Sequence, residues 1–172
     1  MYYKDEYLTK GEHVTAANDF AQMIVSRIQP VDHKIEAVKL HILLYLIQGF
    51  HLAVWEKTAF DDAIVAYPAC PVIENVYCCH ADNMMLSSMS DLRGNVRNLS
   101  ENDHHVIDYV LANYSSRHTV FLMDYVKRSS TPWHTVVLNS GYHNDIPLEY
   151  LKQHFQKELE EINAGRDFVV RT

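Results

Sequence analysis

The sequence predicts a mainly α-helical protein, a compact single-domain bundle around one central buried helix. Its 172 residues suit one domain, because two separate hydrophobic cores would each be small. Apolar residues make up 48% of the chain, which is enough for a sizeable core. Over most of the length they recur at steps of three and four residues, the spacing of amphipathic helices. One short strand or hairpin is the only β-structure that we expect.

The central helix is predicted over residues 33–55, where apolar residues occupy most of the helical circumference. Such a helix must be covered on several sides, so it belongs in the middle of the bundle. Polar residues such as Gln48 and His51 interrupt it, whereas a membrane span needs ~20 uninterrupted apolar residues, and a core helix is therefore favoured. Gly49 in its interior costs about 1 kcal/mol relative to alanine, and the close approach of a neighbouring backbone would explain it.

Other helices are predicted from their apolar stripes and end signals. The first is capped by Thr15 and stops before Pro30, and Asp32 is expected to cap the central helix. Ser100 and Asp103 have the spacing of a capping box. Besides the central helix, we expect helices over residues 15–29, 72–80, 100–114, 115–128 and 147–165.

The segments between the helices are predicted to be a short strand, a long loop and a turn, and none of them is a domain linker. Residues 60–68 combine β-branched and aromatic residues with a proline stop, which predicts a brief strand or an extended segment. Residues 81–100 predict a long loop whose tip, 91–95, is expected to be mobile. Pro132 interrupts the helical pattern before Trp133. We therefore expect an N-terminal lead-in over 1–14, the helical domain over 15–163 and a C-terminal tail over 164–172.

The charge of the chain excludes some classes of partner, and its cysteines and N-terminus indicate the compartment. Lys and Arg total 15 against 22 Asp and Glu, a net charge of −7, which repels a phosphate backbone. Cys70, Cys78 and Cys79 are an odd count with an adjacent pair, a poor disulfide framework. The N-terminus has charges where a secretory signal needs an apolar run. We expect a cytoplasmic protein that binds neither nucleic acid nor a membrane directly.

No motif in the sequence predicts an active site. Eleven histidines are present, but His41 and His51 lie about three helical turns apart and no HExxH occurs. Asp61 and Asp62 sit on an extended segment, where neighbouring side chains point to opposite faces. There is no Walker loop, GxGxxG or GxSxG. We expect no catalytic residue, no metal, no cofactor and no enzymatic activity; a metal-dependent hydrolase built from scattered His and Asp is a second alternative.

An ordered pattern runs from Lys39 to Tyr77 and continues at Pro132-Trp133. Its first block is Lys39, Leu40, Leu43, Leu44, Tyr45, Gln48, Gly49, His51, Leu52 and Ala53. Its second block is Phe60, Ile64, Ala66, Tyr67, Pro71, Val72 and Tyr77. These residues resemble the Panacea domain, the SocA-like antitoxin family that also includes phage-associated GepA-type proteins, and the resemblance extends over about residues 15–163. The chain departs from that pattern at three turns: Cys70 replaces a glycine, Tyr67 a tryptophan and Lys127-Arg128 a serine–histidine pair.

The resemblance implies a non-enzymatic protein-binding module that neutralises a cognate toxin, by direct contact or as an adaptor that delivers the toxin to a protease. The alternative is a phage or mobile-element protein that inhibits a host defence or housekeeping protein. The sequence leaves a homo-oligomer open. The residues expected to bind the partner are Phe60, Asp61, Tyr67, Pro71, Tyr77, Pro132 and Trp133.

The signature positions Lys39, Leu40, Leu44, Tyr45, Gln48, Gly49 and His51 are expected to form the core of the domain. Buried polar side chains need hydrogen-bond partners. We therefore expect Gln48 and His51 to tie the central helix to residues 60–77.

Overall fold

The computed structural model describes residues 16–27 and 33–164, and the prediction of a mainly α-helical fold is confirmed. The described residues form seven α-helices: α1 (Ala17–Ser26), α2 (Ala37–Trp55), α3 (Glu74–His80), α4 (Glu101–Tyr114), α5 (Thr119–Lys127), α6 (Pro132–Ser140) and α7 (Leu148–Asn163). They also form four two-residue strands, β1 (Ile35–Glu36), β2 (Val65–Ala66), β3 (Pro71–Val72) and β4 (Met85–Leu86), and a 3-10 helix over Val96–Asn98. The predicted lead-in over 1–14 lies outside the described residues, as do Thr15, Pro30, Asp32 and all of the predicted tail except Ala164.

Helix α2 is the centre of the fold. Fourteen of its nineteen residues are buried, and α7, α4, α5 and α1 pack around it. Among the described residues, α2 is the one helix long and apolar enough to cross a membrane, yet 78% of the apolar window lies inside the protein. The central helix of a helical bundle can be as long and as apolar as a membrane span, because neighbouring helices cover its circumference. The shared hydrophobic core includes side chains from all seven described helices.

Gly49 lets helix α7 come close to α2. A Cβ atom at this position would lie 2.2 Å from two ring carbons of Phe155. The Phe155 ring is 1% exposed and packs edge-on against Phe50, with centroids 4.8 Å apart. An approaching neighbour thus explains Gly49, but the group that approaches is an aromatic side chain and not a backbone.

The two buried polar residues of α2 bind different parts of the chain. Gln48 Nε2 donates to the Phe60 carbonyl (2.8 Å) and its Oε1 accepts from the Ala59 N–H (2.7 Å), so the predicted tie to the 60–77 segment is confirmed for Gln48. His51 instead lies 2.7 Å from the Lys57 carbonyl and 3.0 Å from Asp103 Oδ1, at the start of α4. The prediction is wrong for His51. His51 therefore joins α2 to the loop after it and to the start of α4.

The four short strands form two antiparallel pairs. Strand β1 pairs with β4 (Ile35 opposite Leu86), and β2 pairs with β3 (Val65 opposite Val72). In the second pair, β2 lies within 60–68, where a brief strand or an extended segment was predicted. The first pair was not predicted, because two residues are too few to produce a periodic pattern.

Several predicted helix boundaries are wrong. Residues 33–36 are extended and α2 begins only at Ala37, because Ile35 and Glu36 pair with β4. Pro71 lies in β3 and α3 begins at Glu74, not at residue 72. Helix α5 begins at Thr119, because Ser115 ends α4 instead of capping a new helix. The start of α2 is set by pairing with a distant strand, which local propensity does not encode.

The proline at 132 starts a helix instead of only interrupting one. Thr131 Oγ1 accepts from the His134 N–H (3.2 Å), and Pro132 occupies the first turn of α6. Proline suits this position because its missing N–H would have no partner within the helix. Helix α6 is therefore an element that the sequence prediction lacked.

The predicted loop tip, 91–95, is anchored to α1. The side chain of Leu92 is fully buried, its N–H donates to Gln22 Oε1 (2.9 Å) and its carbonyl accepts from Asn18 Nδ2 (2.7 Å). The Asn95 N–H donates to Asp19 Oδ1 (2.7 Å). Polar side chains of α1 thus satisfy backbone groups of the loop, and the mobility of its tip stays a prediction.

Candidate protein-binding surface

The β2–β3 hairpin presents aromatic and proline side chains beside α3 and the loop after α6. We call this surface the hairpin face and define it by Tyr67, Pro68, Tyr77, Tyr142 and His143, all exposed or partly exposed. Tyr77 is 40% and Tyr142 is 50% exposed. The rings of Tyr67 and His143 meet edge-on with centroids 4.6 Å apart. The hairpin face therefore brings together residues from three separate parts of the chain.

The loop over 141–146 is held against the hairpin by backbone hydrogen bonds. The Ala66 N–H donates to the Asn144 carbonyl (2.9 Å), the His143 N–H to the Ala66 carbonyl (2.8 Å) and the Ile146 N–H to the Ile64 carbonyl (2.8 Å). The turn into this loop is at Gly141, whose φ of +84° is unfavourable for residues with a Cβ. Tyr142 and His143 are thus presented on a fixed backbone.

Trp133 lies beneath the hairpin face and supports it. Its side chain is only 6% exposed, and its Nε1–H donates to the Tyr67 carbonyl (2.9 Å). The Lys127 ammonium lies 5.5 Å from the centroid of the Trp133 ring, and the Tyr142 ring packs against the same tryptophan at 6.2 Å. Trp133 therefore packs in the core and positions the exposed residues; direct contact with a partner stays a prediction for it.

Tyr67 is tied to α3 through its hydroxyl group. Its O–H donates to Glu74 Oε1 (2.8 Å), and that hydrogen bond raises the pKa of Tyr67. The phenol therefore stays neutral and its ring is oriented on the surface. Tyr77 lies three residues after Glu74 in α3 and therefore on the same side of that helix.

The structure separates the seven residues predicted to bind a partner. Tyr67 and Tyr77 lie on the hairpin face, with Trp133 directly below. Asp61 is exposed, but the Phe60 side chain before it is 1% exposed and packs against Phe20 in the core. The remaining two, Pro71 and Pro132, are buried, in β3 and in the first turn of α6. No partner is present, so all seven roles in binding stay predictions.

Sequence reasoning did not single out Tyr142 and His143. The Gly-Tyr-His-Asn run around them is a turn signal, but nothing local shows that this turn pairs with β2. The role of Asp62 was also missed. Its Oδ2 accepts from the Ala17 N–H (2.8 Å) at the start of α1, and its Oδ1 accepts from Asn75 Nδ2 in α3. Asp62 is a cap supplied by a distant segment.

Two buried histidines, His41 and His80, lie against each other inside the fold. His41 Nδ1 accepts from the Ile73 N–H (3.2 Å), so its Nε2–H donates to His80 Nε2 (2.8 Å). Burial lowers the pKa of His41 to about 3, so His41 is neutral and its contact with His80 joins α2 to α3. Burial also raises the pKa of the Cys70 thiol to about 12, which leaves it without thiolate character.

A second buried group surrounds Glu158 in α7. Its Oε2 accepts from the Tyr125 hydroxyl (2.8 Å), and its Oε1 lies 2.8 Å from His154 Nε2. The Tyr45 hydroxyl is buried and has no hydrogen-bond partner among the described residues. Within the same part of the chain, no three His, Cys, Asp or Glu side chains converge in a group that could hold a metal ion.

Comparison with known proteins identifies the family. The family model described as "Antitoxin SocA-like, Panacea domain" matches residues 40–134, which is more than half of the chain. No curated protein and no solved structure matches the chain. The matched span runs from α2 through the hairpin to Trp133, narrower than the resemblance over 15–163, and the domain boundaries stay a prediction. The chain belongs to the SocA-like antitoxin family with a Panacea domain.

Proposed function

We propose that the protein neutralises a cognate toxin by direct contact through the hairpin face. The family supports a role related to toxin–antitoxin systems and a protein partner in general. The observation that carries the proposal is the group of exposed aromatic rings, with Tyr77 40% and Tyr142 50% exposed, on a backbone held by hydrogen bonds.

Exposed tyrosines on a fixed backbone are suited to binding proteins. A tyrosine ring buries a large area while only two side-chain torsions become fixed. The entropy lost when the side chain is ordered therefore offsets little of its binding energy. Aromatic side chains are also enriched among the few residues that dominate protein interfaces. Because Tyr67 and His143 are already packed together, the hairpin face needs little rearrangement to bind.

The overall charge favours a basic toxin as the partner. With a net charge of −7, the protein attracts a positively charged partner over distances of about one Debye length, ~10 Å at 0.1 M salt. Such attraction mainly accelerates encounter and excludes acidic proteins, whereas contacts at the hairpin face supply the affinity.

Co-expression with the cognate toxin tests this proposal. Wild-type protein should restore growth, and the double variant Tyr77→Ala/Tyr142→Ala should fail to do so. We expect its affinity for the purified toxin to fall at least ~30-fold, the equivalent of about 2 kcal/mol. Met89→Ala removes another exposed apolar side chain, 81% exposed and outside the hairpin face, and should behave as wild type.

Thermal melting of the same variants separates binding from folding. Both tyrosines are largely outside the core, so the double variant should melt within a few degrees of wild type, roughly the shift that 1 kcal/mol produces. Full neutralisation by the double variant would refute the hairpin face as the binding surface.

The fate of the toxin distinguishes the two modes of neutralisation. If simple occlusion operates, the half-life of the toxin in cells is unchanged by the antitoxin. If the protein is a proteolytic adaptor, the half-life shortens when the antitoxin is present and lengthens again when the protease is removed.

A further inference from the structure

A polar pocket adjoins the hairpin face, between the end of α6, the loop after it and the start of α7. We call it the loop pocket and define it by Asn139, Ser140, His143, Asp145 and Tyr150. Its volume is about 500 Å³, and all of its lining residues lie within 136–150, a continuous part of the described chain. His143 belongs to both surfaces. A partner docked on the hairpin face can therefore reach into the loop pocket with a neighbouring segment.

The loop that carries Asp145 has a fixed backbone. The side chain of Asn144 holds the turn before it, because its Nδ2 donates to the carbonyls of Ser140 (2.9 Å) and Tyr142 (3.1 Å). Asp145 itself forms an antiparallel bridge with Val65 of β2. The pocket wall therefore needs little rearrangement to bind a ligand.

Asp145 determines the charge of the loop pocket. The lining residues include no Lys or Arg. The Asp145 side chain is exposed, and within the described chain no group forms an ion pair or a hydrogen bond with its carboxylate. The C-terminal end of α6 and the N-terminal end of α7 both border the pocket, and their dipoles oppose each other. The unpaired carboxylate therefore makes the loop pocket attractive to a cation.

The groups around Asp145 suit a guanidinium group. The Tyr150 side chain is 41% exposed, and a guanidinium can stack on such a ring while it binds a carboxylate through two N–H groups. Its other N–H groups can donate to the amide oxygen of Asn139 or the hydroxyl of Ser140. His143 and Asp145 are the two lining residues of the His, Cys, Asp and Glu types, too few for the oxygen-rich or histidine-rich shell of a metal ion.

We propose that the loop pocket binds an arginine side chain of a basic protein segment, with Asp145 as its ion-pair partner and Tyr150 as its stacking surface. The inference rests on the proposed function in one respect, because it takes the toxin docked on the hairpin face as the source of the arginine. A volume of about 500 Å³ is in the range of sites for compact ligands and exceeds one side chain, so the residues beside the arginine enter too.

Fluorescence polarisation on the full chain, with a labelled peptide that alternates arginine with glycine and serine, tests the proposal. Asp145→Asn removes the charge of the pocket, and Asp124→Asn removes an exposed charge of α5 outside the pocket. Both variants should melt like wild type, because both side chains are exposed. We expect Asp145→Asn to bind the peptide about 5-fold more weakly than wild type, and Asp124→Asn to match wild type.

A second peptide isolates the role of the guanidinium charge. Citrulline has nearly the shape of arginine without its charge, so the citrulline peptide should bind wild type at least about 5-fold more weakly than the arginine peptide. Asp145→Asn should bind the two peptides with similar affinity.

Three results would overturn the proposal. Equal affinity of Asp145→Asn and Asp124→Asn for the arginine peptide would show that the peptide binds another site. Equal affinity of wild type for the arginine and citrulline peptides would show that the pocket does not recognise the cation. No binding of the arginine peptide at about 1 mM would show that the pocket does not accept basic segments.

The variant Tyr77→Ala separates this inference from the proposed function. Tyr77 lies on the hairpin face and outside the loop pocket, so Tyr77→Ala should bind the arginine peptide like wild type. If Asp145→Asn weakens peptide binding while Tyr77→Ala/Tyr142→Ala still neutralises the toxin, only the hairpin face is refuted and the arginine comes from another partner. If neutralisation needs the two tyrosines but the peptide does not distinguish Asp145→Asn from wild type, only the loop pocket is refuted.

Discussion

Replacing Gly49 with alanine tests the packing of the two longest helices. Alanine is favoured over glycine in a helix interior by about 1 kcal/mol, so propensity alone predicts a more stable protein. The added Cβ would lie 2.2 Å from the Phe155 ring, which is 1% exposed. Its neighbours Phe50 and Tyr45 lie 4.8 and 5.7 Å away, so the ring has little room to move. Overpacking of this kind costs ~1–3 kcal/mol, and subtracting the helix-propensity gain leaves a net loss of up to about 2 kcal/mol.

Urea unfolding followed by circular dichroism gives the free energy of unfolding for each variant. A second background, Phe155→Leu, provides the control because its smaller side chain makes room for the new methyl group. In that background Gly49→Ala should be neutral or stabilising by up to about 1 kcal/mol. If Gly49→Ala stabilised the otherwise wild-type protein, the close contact between α2 and α7 would be refuted.

Two further perturbations test the buried groups. The neutral His41 side chain, with a folded pKa of about 3 against an ordinary 6.5, contributes stability that is complete above pH 6.5 and is lost as the pH falls from 6.5 towards 3. Between pH 7 and pH 5, the free energy of unfolding of wild type, measured in urea, should therefore fall by about 2 kcal/mol more than that of His41→Gln, and parallel losses would contradict a neutral His41. Trp133→Ala should lower the free energy of unfolding, measured in the same way, by about 3–5 kcal/mol, because the ring is 6% exposed and hydrogen-bonded to Tyr67. A small loss of stability together with a large fall in partner affinity would show instead that Trp133 contacts the partner.

The central helix could be predicted because its signal is local and strong. Apolar residues around most of α2 require burial on several sides, whatever the rest of the chain does. The capping box of Ser100 and Asp103 is likewise complete within four residues, and both of its hydrogen bonds are present. Gln48 was expected to need partners because a buried amide without them is costly, and the nearest segment along the chain supplies them.

Features set by distant segments could not be predicted. His51 binds Asp103, 52 residues away, and Asp62 caps α1 from 45 residues away. The loop tip at 91–95 has the composition of a mobile loop, but Asn18 and Gln22 in α1 bind its backbone. In each case the partner of a polar group is fixed by tertiary contacts, which the local sequence leaves undetermined.

The candidate surfaces were foreseen only in part. Tyr67 and Tyr77 stand out as aromatic residues at turns, and both lie on the hairpin face. Tyr142 joins them only because its loop pairs with β2.

Hydrogen–deuterium exchange of the protein, alone and in complex with its cognate toxin, tests the role of the hairpin face most directly. If the toxin binds there, amides in 65–72, 74–80 and 141–146 should become protected on binding. Amides in the part of α7 that follows Phe155 should exchange at unchanged rates. Protection confined to other segments, with exchange at 65–72 and 141–146 unchanged, would contradict neutralisation through the hairpin face.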